Sequence, residues 1–145
     1  MSNDRETGLL AYTEMRGTDR AASMDCLAKG SGAEAAIAAL SLDFVYGQLW
    51  VREGLDRKQR SLVTIGILIA LRQTAELENH LRIALTNGLT RAEIEEAIVH
   101  AAPYAGFPAA WSAAKALSWI LRENGPRQER GSAPPPSPGA SCART

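Results

Sequence analysis

Thr74-Ala-Glu-Leu-Glu-Asn-His-Leu-Arg-Ile-Ala-Leu-Thr-Asn-Gly88 is the stretch that decides the fold. Stepped at about 100° per residue, Leu77, Leu81, Ala84 and Leu85 fall on one apolar stripe, while Glu78, Asn79 and Arg82 face outward. Thr74 can cap such a helix, and Asn87-Gly88 can end it in a left-handed turn. Glu76 and His80, four residues apart, stack on each other at one edge of the stripe. The segment therefore reads as an amphipathic helix carrying an imidazole beside a carboxylate.

The same punctuation continues on both sides. Asp56 with Gln59 forms a capping-box signature that opens a helix through about Leu71. Thr90 with Glu93 repeats it and opens a helix ending near Ala102, where Pro103 is expected to force a break. Pro108 suits the first turn of a last helix, reaching about Glu123 before Gly125-Pro126. Around 33–49, alanines with Ile37, Leu40, Phe44 and Val45 recur at helical spacing up to Trp50 and Gly54. Only Leu62–Leu71 is rich enough in β-branched residues to suggest a strand, and its length and cap favour helix. The fold class is all-α.

At 145 residues and 46% hydrophobic, the chain can bury the core of one domain. Sixteen basic residues cancel sixteen acidic ones, which argues against an electrostatic nucleic-acid or membrane binder. Cys26 and Cys142 are too few and too far apart for a disulfide scaffold or a cysteine metal site, and with only His80 and His100 no His-rich metal centre is expected. Pro126, Pro134, Pro135, Pro136 and Pro138 crowd among Ser, Gly and Arg, so 126–145 reads as a flexible tail carrying Cys142. The folded unit is 1–125. The first residues lack the layout of a signal peptide, and Leu62–Leu71 is about half the roughly 20 residues needed to span a bilayer. A cytoplasmic location is expected.

Few groups remain for chemistry near neutral pH. A carboxylate at Glu76 would favour the protonated His80 ring and fix its orientation, making a general acid/base; the plainer alternative is a surface ion pair worth a few tenths of a kcal/mol. His100 either complements a helix dipole or points into the same pocket as His80. Arg82 reads as an exposed partner of Glu78 or as an anion contact, and Arg72 as a solvated or carboxylate-binding group. Trp50, Tyr104, Phe107 and Trp111 are core or interface residues, some of which would line a pocket.

Taken in order, Trp50-Val-Arg-Glu-Gly-Leu, Arg60-Ser-Leu-Val-Thr, the Glu76–Gly88 run, Leu89-Thr-Arg-Ala-Glu-Ile-Glu-Glu and His100-Ala-Ala-Pro-Tyr-Ala-Gly-Phe-Pro-Ala-Ala110 resemble the carboxymuconolactone decarboxylase family. The resemblance covers roughly 40–121, with Gly8–Gly17 similar to the family's short leading helix. It implies an AhpD-like all-helical subunit, a homotrimer or homohexamer with sites near subunit contacts. The peroxidase-linked branch carries Cys-x-x-Cys and an upstream glutamate; those positions hold Gln73, Glu76 and Ser61 here, so a thiol-peroxidase role is not expected. Thr86, His100 and Ala105 depart from the family's pathway decarboxylases, which bears on the substrate.

The resemblance implies cofactor-free decarboxylation of a small unsaturated carboxylated lactone or related acid of aromatic catabolism. His80 is the candidate acid, tuned by Glu76, with His100 second. Arg72 or Arg82 would hold a carboxylate retained on the substrate, and Trp50 or Tyr104 would wall the pocket. The alternatives are a tailoring isomerase, lactone hydrolase or dehydratase acting on a lactone or polyketide-type substrate, and a non-catalytic helical ligand-binding oligomer.

Overall fold

A computed structural model describes residues 2–123. The tail expected at 126–145, with Cys142, lies outside the described residues. The helices are α1 (Ser2–Arg16), α2 (Thr18–Ala28), α3 (Ala33–Leu40), α4 (Arg57–Ala70), α5 (Thr74–Thr86), α6 (Arg91–Ala105) and α7 (Phe107–Glu123). Between α3 and α4, Ser41–Leu49 continues α3 as a π-helix. No strand occurs among the described residues, and no helix there is long and apolar enough to cross a membrane.

Two capping boxes form as expected. The Asp56 and Gln59 side chains exchange hydrogen bonds with each other's backbone N–H, and Thr90 and Glu93 do the same. Thr74 does not cap α5; the N-cap is Gln73, with no side-chain bond. The C-terminus of α5 closes in a Schellman arrangement, Leu89 N–H to Ala84 C=O and Gly88 N–H to Leu85 C=O, with Gly88 at φ +94°.

The end of α4 repeats that arrangement, Gln73 N–H to Leu68 C=O and Arg72 N–H to Ile69 C=O. Here Arg72 occupies the position that glycine favours, at φ +56°. An L-residue in that region costs on the order of 1–2 kcal/mol. Arg72 therefore has a backbone role at a helix end.

Pro103 does not break α6. It lies in the last turn, where its missing N–H and its ring disturb only the Val99 carbonyl, and the helix runs on to Ala105. It stops at Gly106, which has φ +98° and whose N–H bonds Ala102 C=O at 2.9 Å. His100 is consequently not in the final turn.

The core has two parts that share α5. Leu77, Leu81 and Ala84 pack with Ile65 and Ile69 of α4, Ile94 and Ile98 of α6, and Ala113, Leu117 and Ile120 of α7. Ile83 instead joins Ala11, Tyr12, Met15, Ala21, Leu42, Tyr46 and Trp50. A single apolar stripe thus understates α5, which is buried on a second side at Ile83. That second side carries the neighbouring His80.

The π-helix follows from the same packing. Ala38, Leu42, Tyr46 and Trp50 are all buried and recur every fourth residue. That is slower than the 3.6-residue α repeat, and the wider i→i+5 turn, seen in Trp50 N–H to Val45 C=O at 2.9 Å, holds them on one face. Its most extensive contact is with α1. The two backbones nearly touch: a Cβ built on Gly8 would lie 1.9 Å from the Leu42 carbonyl oxygen, and one on Gly47 2.2 Å from that of Asp4. Arg5 pairs with Asp43, and Gln48 donates to Asp4 at 2.9 Å, fixing the register.

Gly8→Ala is expected to lower unfolding stability by about 1–3 kcal/mol, because backbone on the opposing segment must move. Urea denaturation monitored at 222 nm measures this. A midpoint unchanged from wild type would contradict the close approach.

Candidate active site

His80 emerges from α5 onto the aromatic side of the core. Its ring stacks on Trp50, with centroids 6.3 Å apart and planes 19° from parallel. Trp50 stacks in turn on Tyr46 at 6.3 Å and 20°. Tyr46 meets Tyr12 edge-on at 4.7 Å. Three elements, α1, the π-helix and α5, therefore contribute one ring column ending at an imidazole.

Neither ring nitrogen of His80 has a hydrogen-bond partner among the described residues, and Nδ1 is buried. Stacking and burial hold the ring. Glu76, one turn earlier and exposed, acts on it through space. Burial dominates: it lowers the His80 pKa from the usual histidine value, Glu76 opposes with its negative charge, and Arg16 lowers it further by repulsion. The expectation that Glu76 would favour a protonated ring has the right sign but is outweighed. Tyr46, pushed up to about 12 chiefly by its own burial, stays neutral.

Arg16 is the residue the sequence reading missed. It closes α1 and donates Nη1–H to the backbone oxygen of Asn79 at 3.3 Å and Nη2–H to its Oδ1 at 3.1 Å. Its charge reaches both His80 and Tyr46. The contact links residues 63 apart in sequence. The available local signal was a lone arginine closing the leading helix before Gly17. Together with Tyr12, Arg16 also lines a solvent-open groove between α1 and α2.

The other expected residues lie elsewhere in the subunit. Arg82 turns to α7, where it pairs with Glu123 at 2.5 Å and lies 5.4 Å over the Trp119 ring. It touches the Glu78 backbone oxygen, so the expected Glu78 carboxylate pair is replaced by Glu123. Arg72 borders a small recess of about 100 Å³ with Leu77, Pro108 and Ser112. His100 and Tyr104 contact each other at 5.4 Å and line an apolar groove of about 820 Å³ between α4 and α6, beside Leu62, Gly66 and Ala101. His80, Glu76 and Trp50 are not on its walls, so the two histidines do not share a pocket within one subunit. Trp50 is buried, whereas Tyr104, Phe107 and Trp111 are 81%, 68% and 67% exposed and are not core residues.

The larger groove combines small residues with Glu93, Glu96, His100 and Tyr104, but no arginine or lysine lines it to hold a substrate anion, which makes it the weaker candidate. The His80 cluster combines a titratable ring, a cation and a carboxylate around a desolvated centre, the arrangement expected for proton transfer coupled to anion binding. Among the described residues no three His, Cys, Asp or Glu side chains gather closely enough to hold a metal ion.

Residues 31–119 match the sequence model of the carboxymuconolactone decarboxylase family. A 4-carboxymuconolactone decarboxylase from Acinetobacter baylyi is 41% identical over 87 residues, 60% of this chain and 65% of that protein. A nitrosuccinic acid decarboxylase from Metarhizium robertsii is 49% identical over 69 residues, 48% of each. An uncharacterized 15.0 kDa protein from Paracoccus denitrificans is 36% identical over 84 residues, 57% of this chain and 63% of that one. The chain thus spans about half to two thirds of the length of these relatives. The family match includes Trp50, Glu76 and His80 but leaves Tyr12, Arg16 and the α1–α2 groove outside it.

An NMR titration of the free protein should place the His80 ring below the ordinary histidine value of about 6.5. Glu76→Gln should lower it further, by removing a stabilising anion, and Arg16→Gln should raise it. A wild-type value at or above 6.5 would mean that burial does not dominate this site.

Proposed function

The chain belongs to the carboxymuconolactone decarboxylase family, and from that premise we propose that it is a cofactor-free carboxy-lyase acting on a small, activated carboxylic acid. The observation that carries this reading is the half-buried His80 ring, stacked on Trp50 beside Arg16 and Glu76. The names of two relatives support it: both are decarboxylases of small acids. In each named acid, a lactone or a nitro group is available to accept the electron pair left by CO₂.

The free site holds His80 largely neutral at pH 7. A substrate carboxylate, drawn in by Arg16, adds negative charge beside the ring and raises its proton affinity, so a proton enters with the substrate. The bond to the carboxyl carbon then breaks, CO₂ departs, and its electron pair moves onto the adjoining acceptor group. Arg16 donors not used by Asn79 stabilise the oxyanion that develops there. His80 delivers its proton to carbon and returns to neutral, so one substrate anion and one proton yield product and CO₂. Glu76 is a tuning residue: it keeps the pKa of a desolvated imidazole from falling too far.

Arg16 takes the place first expected for Arg72 or Arg82. His100 and Tyr104 belong, on this reading, to a contact between subunits of a homotrimer or homohexamer. Exposed apolar side chains support such assembly: Ile37, Leu40 and Phe44 on α3 and its π continuation, Val63 and Ile67 on α4, and Trp111 on α7.

Release of CO₂ from carboxylated unsaturated lactones and 2-nitro acids tests the reaction class. His80→Ala should lower kcat by about 10²–10⁴-fold, the usual contribution of a general acid. Because the protonated ring is required, kcat/KM should fall as pH rises through a pKa below about 6.5, and Glu76→Gln should move that limb to lower pH. Substrate consumed without CO₂ would point instead to an isomerase, hydrolase or dehydratase. Equal turnover by His80→Ala and wild type would remove the proposed acid.

A further inference from the structure

Building on the decarboxylase reading, we propose that the α1–α2 groove receives the far end of the substrate, and that Arg20 holds an anionic group there that stays on the product. Arg16 connects the two places. Arg16 lines the groove, and its guanidinium is anchored on Asn79, the residue adjoining His80. Tyr12 also lines the groove and is the outer ring of the column that ends at His80. A ligand seated in the groove thus meets a residue whose charge acts on the imidazole.

The groove's own chemistry favours an anion. It is open to solvent, so its charged side chains, and not its volume, select the ligand. Met24 and Leu27 supply an apolar wall, while Arg16 and Arg20 face one carboxylate, Asp19. The net charge of these side chains is positive. The Arg20 side chain has no ion pair or hydrogen bond to any described residue, a state it shares with Arg52, Arg72 and Arg122, while Arg5, Arg57, Arg82 and Arg91 are each paired with a carboxylate; of the unpaired four, Arg20 alone lines this groove. The Ser23 hydroxyl donates to the Asp19 backbone oxygen at 2.9 Å, so Arg20 is the free charged donor on the α2 side of the groove. Two cations for one acid divide the work: Arg16 faces the reacting end and Arg20 the retained end. Arg20 would therefore set specificity, with no part in the proton transfer.

The test compares an activated diacid with its half-ester, in which the retained carboxylate is neutral, in wild type, Arg20→Gln and Arg20→Lys. Arg20→Gln should raise KM for the diacid about 10- to 100-fold, the loss expected for a charge-assisted hydrogen bond, with kcat within about threefold. It should leave the half-ester's KM unchanged, and Arg20→Lys should recover part of the diacid preference. Calorimetric binding of unreactive succinate, with butyrate as control, supplies a readout independent of turnover. Wild type should prefer succinate, and Arg20→Gln should not. If no acid is decarboxylated yet succinate binding depends on Arg20, the reaction assignment fails and the subsite stands. If the diacid is decarboxylated but Arg20→Gln alters neither its KM nor succinate binding, or affects diacid and half-ester alike, the subsite is overturned while the reaction assignment stands.

Discussion

Gly8 and Gly47 let the backbones of α1 and the π-helix approach more closely than any side chain would permit. Much of the site depends on that contact. It sets Tyr12 against Tyr46 and brings Arg16, at the end of the same helix, to Asn79. Without it, α5 would present His80 and Glu76 as an exposed pair, with the small energetic weight of surface pairs. With it, the imidazole becomes the last ring of a buried column, and burial outweighs the neighbouring carboxylate in setting its protonation.

The two-sided character of α5 connects this packing to chemistry. One side, at Leu77, Leu81 and Ala84, is committed to the four-helix core formed with α4, α6 and α7. The other is covered by α1 and the π-helix. His80 is thereby mounted on an element packed from two directions, and rigid mounting of this kind is what proton transfer to a defined carbon needs. The π turn serves the same end, since it keeps Leu42, Tyr46 and Trp50 in line where an α repeat would rotate them apart.

What the sequence made legible was local. Helices α4 to α7, both capping boxes, the Asn87-Gly88 stop and the Glu76/His80 spacing are signals contained within a few residues. Pro103 does not end α6 because a proline removes one N–H bond and crowds one carbonyl, a cost that a packed helix can absorb without terminating. The left-handed backbone of Arg72 is not legible in the sequence, where its charge is visible and its backbone angle is not. Arg16 was invisible for a different reason: its role comes from a contact 63 residues away, and periodicity carries no information about which helices pack together. The same limit applied to His100, which lies one short turn and one helix beyond His80 yet faces a different groove.

The coupling of anion binding to protonation of His80 is most directly measured as proton uptake. A substrate analogue that cannot lose CO₂ is added to wild type and to His80→Gln in weakly buffered solution near pH 7.5, with an indicator dye reporting the protons taken up. Wild type should take up close to one proton per site, and His80→Gln essentially none. An analogue that binds wild type tightly without proton uptake would contradict the assignment of His80 as the acid that protonates carbon.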